Sequence, residues 1–173
     1  MPYTDNWSTC EFATEALLQR ESFSGLVWEC ACGDGRIVRV LRRHGLKVWA
    51  TDIVPQPGVD QVCDFLTTKT KLDSIITNPP YSQKFQFAAK AVLRADKVAL
   101  LLPLYFLESN QRRFFFRESP PKAVYVFSQR IYLFRNGYEK FCSLPSAWFV
   151  WERGFAGEPV IRWITPQANG PPP

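Results

Sequence analysis

A short apolar run, a glycine-containing turn and the start of a helix follow one another in Leu26-Val27-Trp28-Glu29-Cys30-Ala31-Cys32-Gly33-Asp34-Gly35-Arg36-Ile37. Because glycine has no Cβ and adopts positive φ readily, this turn can bend sharply and admit a ligand close to the backbone. It leads into a helix predicted over residues 36–44, whose free N–H groups suit an anionic group. The third glycine of the dinucleotide fingerprint is absent, which argues against NAD. The stretch therefore predicts a ligand site where a strand turns into a helix.

Strands and helices alternate outward from this unit in both directions. We expect strands over residues 26–31, 46–53, 59–63, 73–77, 97–102, 124–127 and 147–151, and helices over residues 10–20, 36–44, 84–95 and 107–117. Such alternation predicts an α/β fold with a mostly parallel, Rossmann-like sheet and helices on both faces. The last two strands have no helix between them, so we expect them to pair antiparallel as a hairpin at the edge. Residues 128–146 are expected to form a loop, and Ser8 or Thr9 to cap the first helix.

The composition excludes several classes of protein. Hydrophobic residues make up 46% of the 173 residues, which suffices for the core of one domain. Five cysteines without a CxxC pair and a single histidine argue against a zinc site, so no metal is expected. The apolar runs are too short to span a membrane and no signal peptide is evident, so a cytoplasmic location is expected. A net charge of +5 and a pI near 9.0 favour a polyanionic partner.

Acidic residues stand at the ends of the next strands. Asp52 closes the strand over residues 46–53, at a spacing from Gly35 at which Rossmann-like folds place a carboxylate that accepts hydrogen bonds from ribose hydroxyls. Ile53, beside it, is the expected apolar contact for an adenine ring. Asp64 and Phe65 follow the short strand over residues 59–63. Since ligands of such sheets bind beyond the carboxyl ends of the strands, we expect these residues to share one site with the glycine turn.

The strand over residues 73–77 ends abruptly in Asn78-Pro79-Pro80-Tyr81. Two prolines fix φ twice and force the preceding residue into extended geometry, so the backbone is stiff where Asn78 stands. Stiff placement is what a site needs when it holds a small amino group in line with a reacting partner. The segment is therefore the strongest candidate for the catalytic motif.

These segments resemble the class I S-adenosylmethionine-dependent methyltransferases. The pattern E-x-A-x-G-x-G-x-I over residues 29–37 is similar to their motif I, and Asn78-Pro79-Pro80-Tyr81 is similar to motif IV, (D/N/S)PP(Y/F/W), of the amino-methyltransferases. The cofactor segment precedes the catalytic segment, which is the order of the gamma-type adenine-N6 enzymes. The resemblance covers about Ser8 to Arg153 and is strongest with compact adenine methyltransferases of phages and prophages, which implies a bacterial or phage-infected cell.

The resemblance implies a role for each matched residue. Glu29 is expected near the amino group of S-adenosylmethionine, and Asp64 is expected to accept from its adenine amino group. The side-chain oxygen of Asn78 and the carbonyl of Pro79 are expected to accept the two hydrogens of the target amine, while Tyr81 stacks on a flipped-out base. The implied catalytic residues are Asn78, Pro79, Pro80 and Tyr81. The implied cofactor-binding residues are Thr9, Glu29, Ala31, Gly33, Gly35, Asp52, Ile53, Asp64, Phe65 and Asn78.

Basic and aromatic residues are interleaved in the second half of the chain, a pattern that suits phosphate contacts and base stacking. The predicted substrate-binding residues are Tyr81, Arg112, Arg113, Arg130, Tyr132 and Arg135. The predicted partner is nucleic acid, with DNA preferred. We expect one catalytic domain over residues 1–165, a Pro/Gly-rich tail over residues 166–173 and no separate target-recognition domain.

Several alternatives stay open beside adenine-N6 methylation of DNA. Asn-Pro-Pro-Tyr also occurs in enzymes that act on RNA bases or on glutamine amides of release factors. A third alternative is a non-catalytic nucleic-acid-binding protein on a methyltransferase fold, against which the intact residues of both motifs argue. The absence of a Pro-Cys nucleophile pattern argues against cytosine-C5 methylation. The oligomeric state is not predicted.

Overall fold

A computed structural model describes residues 8–135, 138–141 and 144–165. Its α-helices are α1 (Glu11–Leu18), α2 (Arg36–Arg43), α3 (Lys84–Arg94) and α4 (Arg113–Glu118). Its strands are β1 (Ser8–Thr9), β2 (Leu26–Glu29), β3 (Lys47–Asp52), β4 (Gln61–Val62), β5 (Leu72–Thr77), β6 (Ala95–Pro103), β7 (Ala123–Phe127), β8 (Tyr132–Arg135), β9 (Tyr138–Phe141), β10 (Ser146–Glu152) and β11 (Val160–Ile164). Short 3-10 turns cover Tyr81–Gln83, Leu104–Leu107 and Asn110–Arg112. No helix within these ranges is long and apolar enough to cross a membrane.

The main sheet has the strand order β11-β7-β10-β6-β5-β2-β3-β4. Neighbouring strands from β4 to β6 are parallel, and β10 runs antiparallel to both β6 and β7. The predicted mostly parallel α/β sheet with an antiparallel pair towards one edge is confirmed. The winding reverses between β2 and β5, because the chain moves outward from β2 to β4 and returns to β5 on the other side of β2. A crevice at the carboxyl ends of β2 and β5 is therefore the place where this fold binds ligands.

Helices cover both faces of the sheet, and alternate strand residues belong to separate cores. In β10, Trp148 packs in a cluster with Leu17 of α1 and Leu41 of α2. The next residue, Phe149, packs in a second cluster with Phe87 of α3. This alternation follows from the two-residue period of a strand, and burial on both faces explains why the central strands are continuously apolar.

The first residues described differ from the prediction that Ser8 or Thr9 caps a helix. They form β1, which pairs antiparallel with β8, and β8 pairs in turn with β9. Cys10 is the N-cap residue of α1, and its side chain makes no capping hydrogen bond. The loop predicted over residues 128–146 was thus wrong for β8 and β9. This small sheet is separate from the main sheet, and its short strands Tyr132–Arg135 and Tyr138–Phe141 show no alternation of apolar and polar residues in the sequence.

Two further segments were not predicted correctly. The helix expected over residues 107–117 begins only at Arg113, because the Ser109 hydroxyl accepts the N–H of Gln111 at 3.1 Å and starts a 3-10 turn. Strand β11 extends the sheet beyond β7 and was missed altogether. Its residues are exposed except Ile164, so no alternation of apolar and polar residues marks it.

Candidate active site

The glycine turn between β2 and α2 is held from the neighbouring strand. Gly33 has φ of 51° and Gly35 has φ of 78°, both in the left-handed region that favours glycine. The N–H of Gly33 donates to Oδ2 of Asp52 at 2.8 Å, and Oδ1 of the same carboxylate accepts the N–H of Val54 at 3.1 Å. Asp52 closes β3, so one side chain joins the glycine turn to the end of the next strand. The shape of the turn is fixed by these contacts.

Glu29 ends β2 and is completely buried. Its Oε1 accepts the N–H of Ala31 at 3.1 Å, and its Oε2 has no hydrogen-bond partner among the residues that the structure describes. Burial, with a smaller contribution from the charge of Asp52, raises the pKa of Glu29 from 4.5 to about 8. The nearby Thr77 hydroxyl and the Ala31 N–H act on this pKa in the opposite direction. Glu29 thus lies behind the turn as a carboxyl group that is mostly protonated at neutral pH.

A cavity of about 550 Å³ opens over the carboxyl ends of β2, β3 and β5. Its size lies within the range of roughly 300–1,000 Å³ that is typical of small-molecule and cofactor sites. The predicted cofactor residues that line it are Thr9, Ala31, Gly33, Asp52, Ile53, Asp64, Phe65 and Asn78. Glu29 and Gly35 do not line it. The carboxylates of Asp52 and Asp64 and the amide of Asn78 therefore converge on one cavity from three different strand ends.

Two apolar side chains line the same cavity between these polar groups. Ile53 is 55% exposed, so it offers a free apolar surface. Phe65 is almost buried and packs edge-on against Trp28, with ring centres 5.1 Å apart. Beside it, Oδ1 of Asp64 accepts the N–H of Leu66 at 2.8 Å, which fixes the carboxylate at the end of β4. The arrangement combines acceptors with an apolar wall, which is what a flat ring with amino and hydroxyl donors requires.

Thr9 approaches the cavity from the small sheet. Its hydroxyl is buried and forms no hydrogen bond within the described ranges. A buried polar atom of this kind costs free energy unless a partner satisfies it, so it is a feature that a bound ligand can complete.

The Asn78-Pro79-Pro80-Tyr81 motif begins directly after β5. Asn78 and Pro80 line the cavity, whereas Pro79 is buried and neither Pro79 nor Tyr81 is part of the lining. Tyr81 starts the 3-10 turn that leads into α3, and its carbonyl accepts a hydrogen bond from Nζ of Lys84 at 2.8 Å. The motif therefore contributes Asn78 and Pro80 to the cavity, and its last residue begins the turn into α3.

The predicted substrate-binding residues fall into two groups. Arg113 is exposed at the start of α4, and its guanidinium lies 5.0 Å from the ring centre of Phe114. Arg130 is exposed before β8, and Tyr132 packs edge-on against Phe12. β8 pairs with β1, whose residues line the cavity, but no residue of this second group lines it. The side chain of Arg135 lies outside the described residues.

Arg112 is occupied with its own chain. Its guanidinium donates to the carbonyls of Tyr105, Phe106 and Glu108, and it lies 5.0 Å from the ring centre of Phe106. These contacts hold the 3-10 turn Leu104–Leu107 rather than point to a phosphate. The phosphate contact expected for Arg112 stays a prediction, and the geometry favours a positioning role instead.

The cavity also includes residues that the sequence did not point to. They are Ser8, Cys30, Cys32, Asp34, Arg36, Ile37, Val54, Gln56, Cys63, Ser82, Gln83 and Phe87. Most of them lie within a few positions of a predicted residue, so the strand ends were a usable signal. Cys63 precedes Asp64, and Gln83 follows the catalytic motif by half a turn. Their side-chain directions depend on loop paths, which spacing alone does not predict.

The fold is similar to those of solved methyltransferase structures. A candidate class I S-adenosylmethionine-dependent methyltransferase from Listeria monocytogenes matches with a TM-score of 0.66 and 10% identity, over 92% of this chain and 66% of the other. A candidate RNA methyltransferase from Pyrococcus horikoshii matches with a TM-score of 0.61 and 14% identity, over 82% and 81% of the two chains. The M protein of the type I restriction enzyme EcoKI matches with a TM-score of 0.61 and 11% identity, over 84% of this chain and 43% of the other.

No protein-family model and no curated protein sequence matches the chain. At identities of 10 to 14%, the similarity to solved structures establishes the fold and leaves the reaction to be argued from the site. The chain has the Rossmann-like fold of class I methyltransferases.

Proposed function

We propose that the protein is an S-adenosylmethionine-dependent N-methyltransferase that acts on the exocyclic N6 amino group of adenine in DNA. One observation carries the proposal. Asn78 and Pro80 line the same cavity as the glycine turn and Asp52, at the reversal point of the sheet. A motif suited to holding an amine therefore lies beside a cavity suited to a nucleoside cofactor.

The cavity residues fit that cofactor in chemistry. Asp52 would accept from ribose hydroxyls and Asp64 from the adenine amino group, with Ile53 and Phe65 against the ring. The buried hydroxyl of Thr9 is a further polar group that the cofactor can satisfy. Bound there, S-adenosylmethionine supplies a methyl group activated by its attachment to a sulfonium sulfur.

The catalytic task of this chain is to position and polarise the target amine. An aromatic amine is a poor nucleophile because its lone pair is delocalised into the ring. The side-chain oxygen of Asn78 and the carbonyl of Pro79 would accept its two hydrogens, which fixes the nitrogen and stabilises positive charge as it develops there. Tyr81 would stack against the extruded base. This mechanism requires no separate strong base.

The choice of nucleic acid rests on charge and on the names of similar structures. The net charge of +5 favours a polyanion. The M protein of a type I restriction enzyme has a similar fold, which favours DNA as the acceptor. A candidate RNA methyltransferase has a similar fold as well, which makes RNA the main alternative. We place the catalytic domain over residues 1–165, with Arg113, Arg130, Tyr132 and Arg135 on its substrate side.

One assay tests the reaction. The purified protein is incubated with S-adenosylmethionine carrying a tritiated methyl group and, in turn, with DNA, RNA and a glutamine-containing protein acceptor. The labelled product is then digested and the modified residue identified by mass spectrometry. N6-methyladenine in DNA is the expected product. Label confined to RNA or to glutamine would overturn the choice of DNA, and cofactor binding without transfer to any acceptor would favour a non-catalytic binding protein.

A further inference from the structure

A group of exposed aromatic and basic side chains lies beyond the cavity, where β6 ends and α4 begins. Tyr105 is 41% exposed, Leu107 is 43% exposed and Phe114 is 53% exposed, which is unusual for large apolar side chains close together in the sequence. Phe115 and Phe116 of the same helix pack into the core instead. We call this surface the aromatic rim. Its residues are Lys84, Tyr105, Leu107, Arg113, Phe114 and Arg117.

The aromatic rim is physically joined to the catalytic motif. The ammonium group of Lys84 donates to the carbonyl of Tyr81 and lies 5.3 Å from the ring centre of Tyr105. Phe85, the next residue of α3, packs edge-on against Phe115 of α4, with ring centres 5.7 Å apart. Tyr105 therefore lies one side chain away from the catalytic motif, and α4, which carries Phe114, packs on the helix that follows this motif.

The cations of the rim are stacked on its rings. The guanidinium groups of Arg113 and Arg117 lie 5.0 and 5.1 Å from the ring centre of Phe114. The acidic residues of segment 104–118 are Glu108 and Glu118, of which Glu118 pairs with Arg117 on a highly exposed part of the surface. Such an exposed pair contributes little binding energy. Lys84, Arg113 and Arg117 outnumber Glu118, so the rim has a net positive charge.

We propose, resting on the function proposed above, that the aromatic rim binds an unpaired strand, so that the substrate is single-stranded nucleic acid. Phosphate recognition of a duplex needs cations but no exposed rings, because the bases are already stacked on one another. An unpaired strand offers the flat faces of its bases, which stack on aromatic rings and on guanidinium planes, together with its phosphates. The combination of exposed rings and cations beside the motif matches the second ligand.

The test compares binding of three labelled polyanions by fluorescence anisotropy. The probes are a single-stranded oligodeoxynucleotide containing adenine, the duplex of the same sequence and polyglutamate, which carries charge but no bases. The variants are Tyr105→Ala and Phe114→Ala. Trp163→Ala is the matched control, since Trp163 is 67% exposed on β11 and lies outside the rim. Thermal unfolding of each variant checks that it folds.

We expect the single strand to bind at least about fivefold more tightly than the duplex. Each rim substitution should weaken single-strand binding by about fivefold or more, and Trp163→Ala should leave it unchanged. Tighter duplex binding would overturn the proposal. Unchanged binding in both folded rim variants, or binding of polyglutamate as tight as that of the single strand, would do the same.

Transfer assays on the same variants separate this proposal from the proposed function. If the wild-type protein methylates no acceptor but the rim substitutions still weaken single-strand binding, the proposed reaction is contradicted and the proposed role of the aromatic rim is supported. If the protein methylates DNA but the rim substitutions change neither binding nor transfer, the proposed reaction is supported and the proposed role of the aromatic rim is contradicted.

Discussion

The glycine-turn side of the crevice is held by a closed set of hydrogen bonds, whereas the aromatic rim beside the catalytic motif carries exposed rings and cations. Gly33 and Val54 are both bound by Asp52, and Ala31 is bound by Glu29. By contrast, Phe114 is half exposed, and the guanidinium groups of Arg113 and Arg117 lie over its ring. A preorganised wall suits one small molecule of constant shape, and an adaptable rim suits a polymer whose sequence varies.

Asn78 lies between the glycine-turn side and the aromatic rim. Of the substitutions considered, that of Asn78 should have the largest effect on activity. Asn78→Ala removes one of the two acceptors for the target amine. We expect kcat to fall by about 10²–10³-fold, by analogy with the loss of one polar group that stabilises developing charge. Binding of S-adenosylmethionine, measured by calorimetry, should change little because the glycine turn and Asp52 are intact.

Asn110→Ala is the control for this substitution, because Asn110 is exposed in a 3-10 turn outside the cavity. It should retain full activity. If Asn78→Ala lost cofactor binding to the same extent as activity, the motif would belong to the glycine-turn side of the crevice, and the distinction between that side and the aromatic rim would fail.

The buried carboxyl group of Glu29, behind the glycine turn, should make the stability of the protein depend on pH. The pKa of Glu29 is about 8 in the folded protein, against 4.5 ordinarily. Between these values the unfolded chain loses its proton while the folded chain keeps it, so the free energy of unfolding falls as pH rises. The slope is about 1.4 kcal/mol per pH unit, which amounts to about 2 kcal/mol between pH 6 and pH 7.5.

Glu29→Gln removes this titration and retains an acceptor for the N–H of Ala31. Relative to the wild-type protein, the variant should therefore gain about 4–8 °C in unfolding temperature when the pH is raised from 6 to 7.5. Differential scanning fluorimetry at several pH values measures the difference. Glu118→Gln, on an exposed surface, controls for the loss of one carboxyl group. Parallel curves for wild type and Glu29→Gln would show that Glu29 is already ionised in the folded protein.

Asp52 offers a third test, since it both shapes the glycine turn and lines the cavity. Asp52→Asn removes the charge and one of the two acceptors. We expect S-adenosylmethionine to bind about tenfold more weakly, in keeping with the loss of a charged hydrogen-bonding group. Asp60→Asn is a close match, because Asp60 also accepts a backbone N–H, that of Ala50 at 2.7 Å, but does not line the cavity. Equal loss of cofactor binding in both variants would reduce Asp52 to a purely structural role.

The sequence predicted the glycine-turn side of the crevice better than the aromatic rim, for a physical reason. Strands that are buried on both faces, such as β5 with Ile75 and Ile76, read as apolar runs, and their carboxyl ends must meet at one edge of the sheet. Asp52, Asp64 and Asn78 could therefore be assigned to one crevice from their positions at strand ends alone.

The parts that could not be predicted are those whose contacts are made by exposed residues or by backbone. β11 is exposed along most of its length, and β8 is a four-residue strand of a separate sheet whose sequence, Tyr-Leu-Phe-Arg, shows no alternation. Glu29 was placed correctly at a strand end, but its burial behind the turn depends on side-chain direction. Arg112 has the composition of a phosphate ligand, and only the structure shows that three carbonyls surround it.

Arg112 gives the smallest predicted effect and tests how the adaptable side is built. If it holds the turn Leu104–Leu107, both Arg112→Lys and Arg112→Gln should weaken single-strand binding by about two- to threefold, because neither reproduces the planar fork of five donors. The dependence of affinity on salt should be unchanged in both. If Arg112 instead contacts a phosphate, the lysine variant should bind nearly normally, since it keeps the charge. The glutamine variant should then reduce the slope of log affinity against log salt concentration by about 0.7. Anisotropy titrations at a series of salt concentrations distinguish the two outcomes. Weaker binding of both variants with an unchanged salt dependence would mean that Arg112 positions the exposed rings of the rim without contacting the ligand.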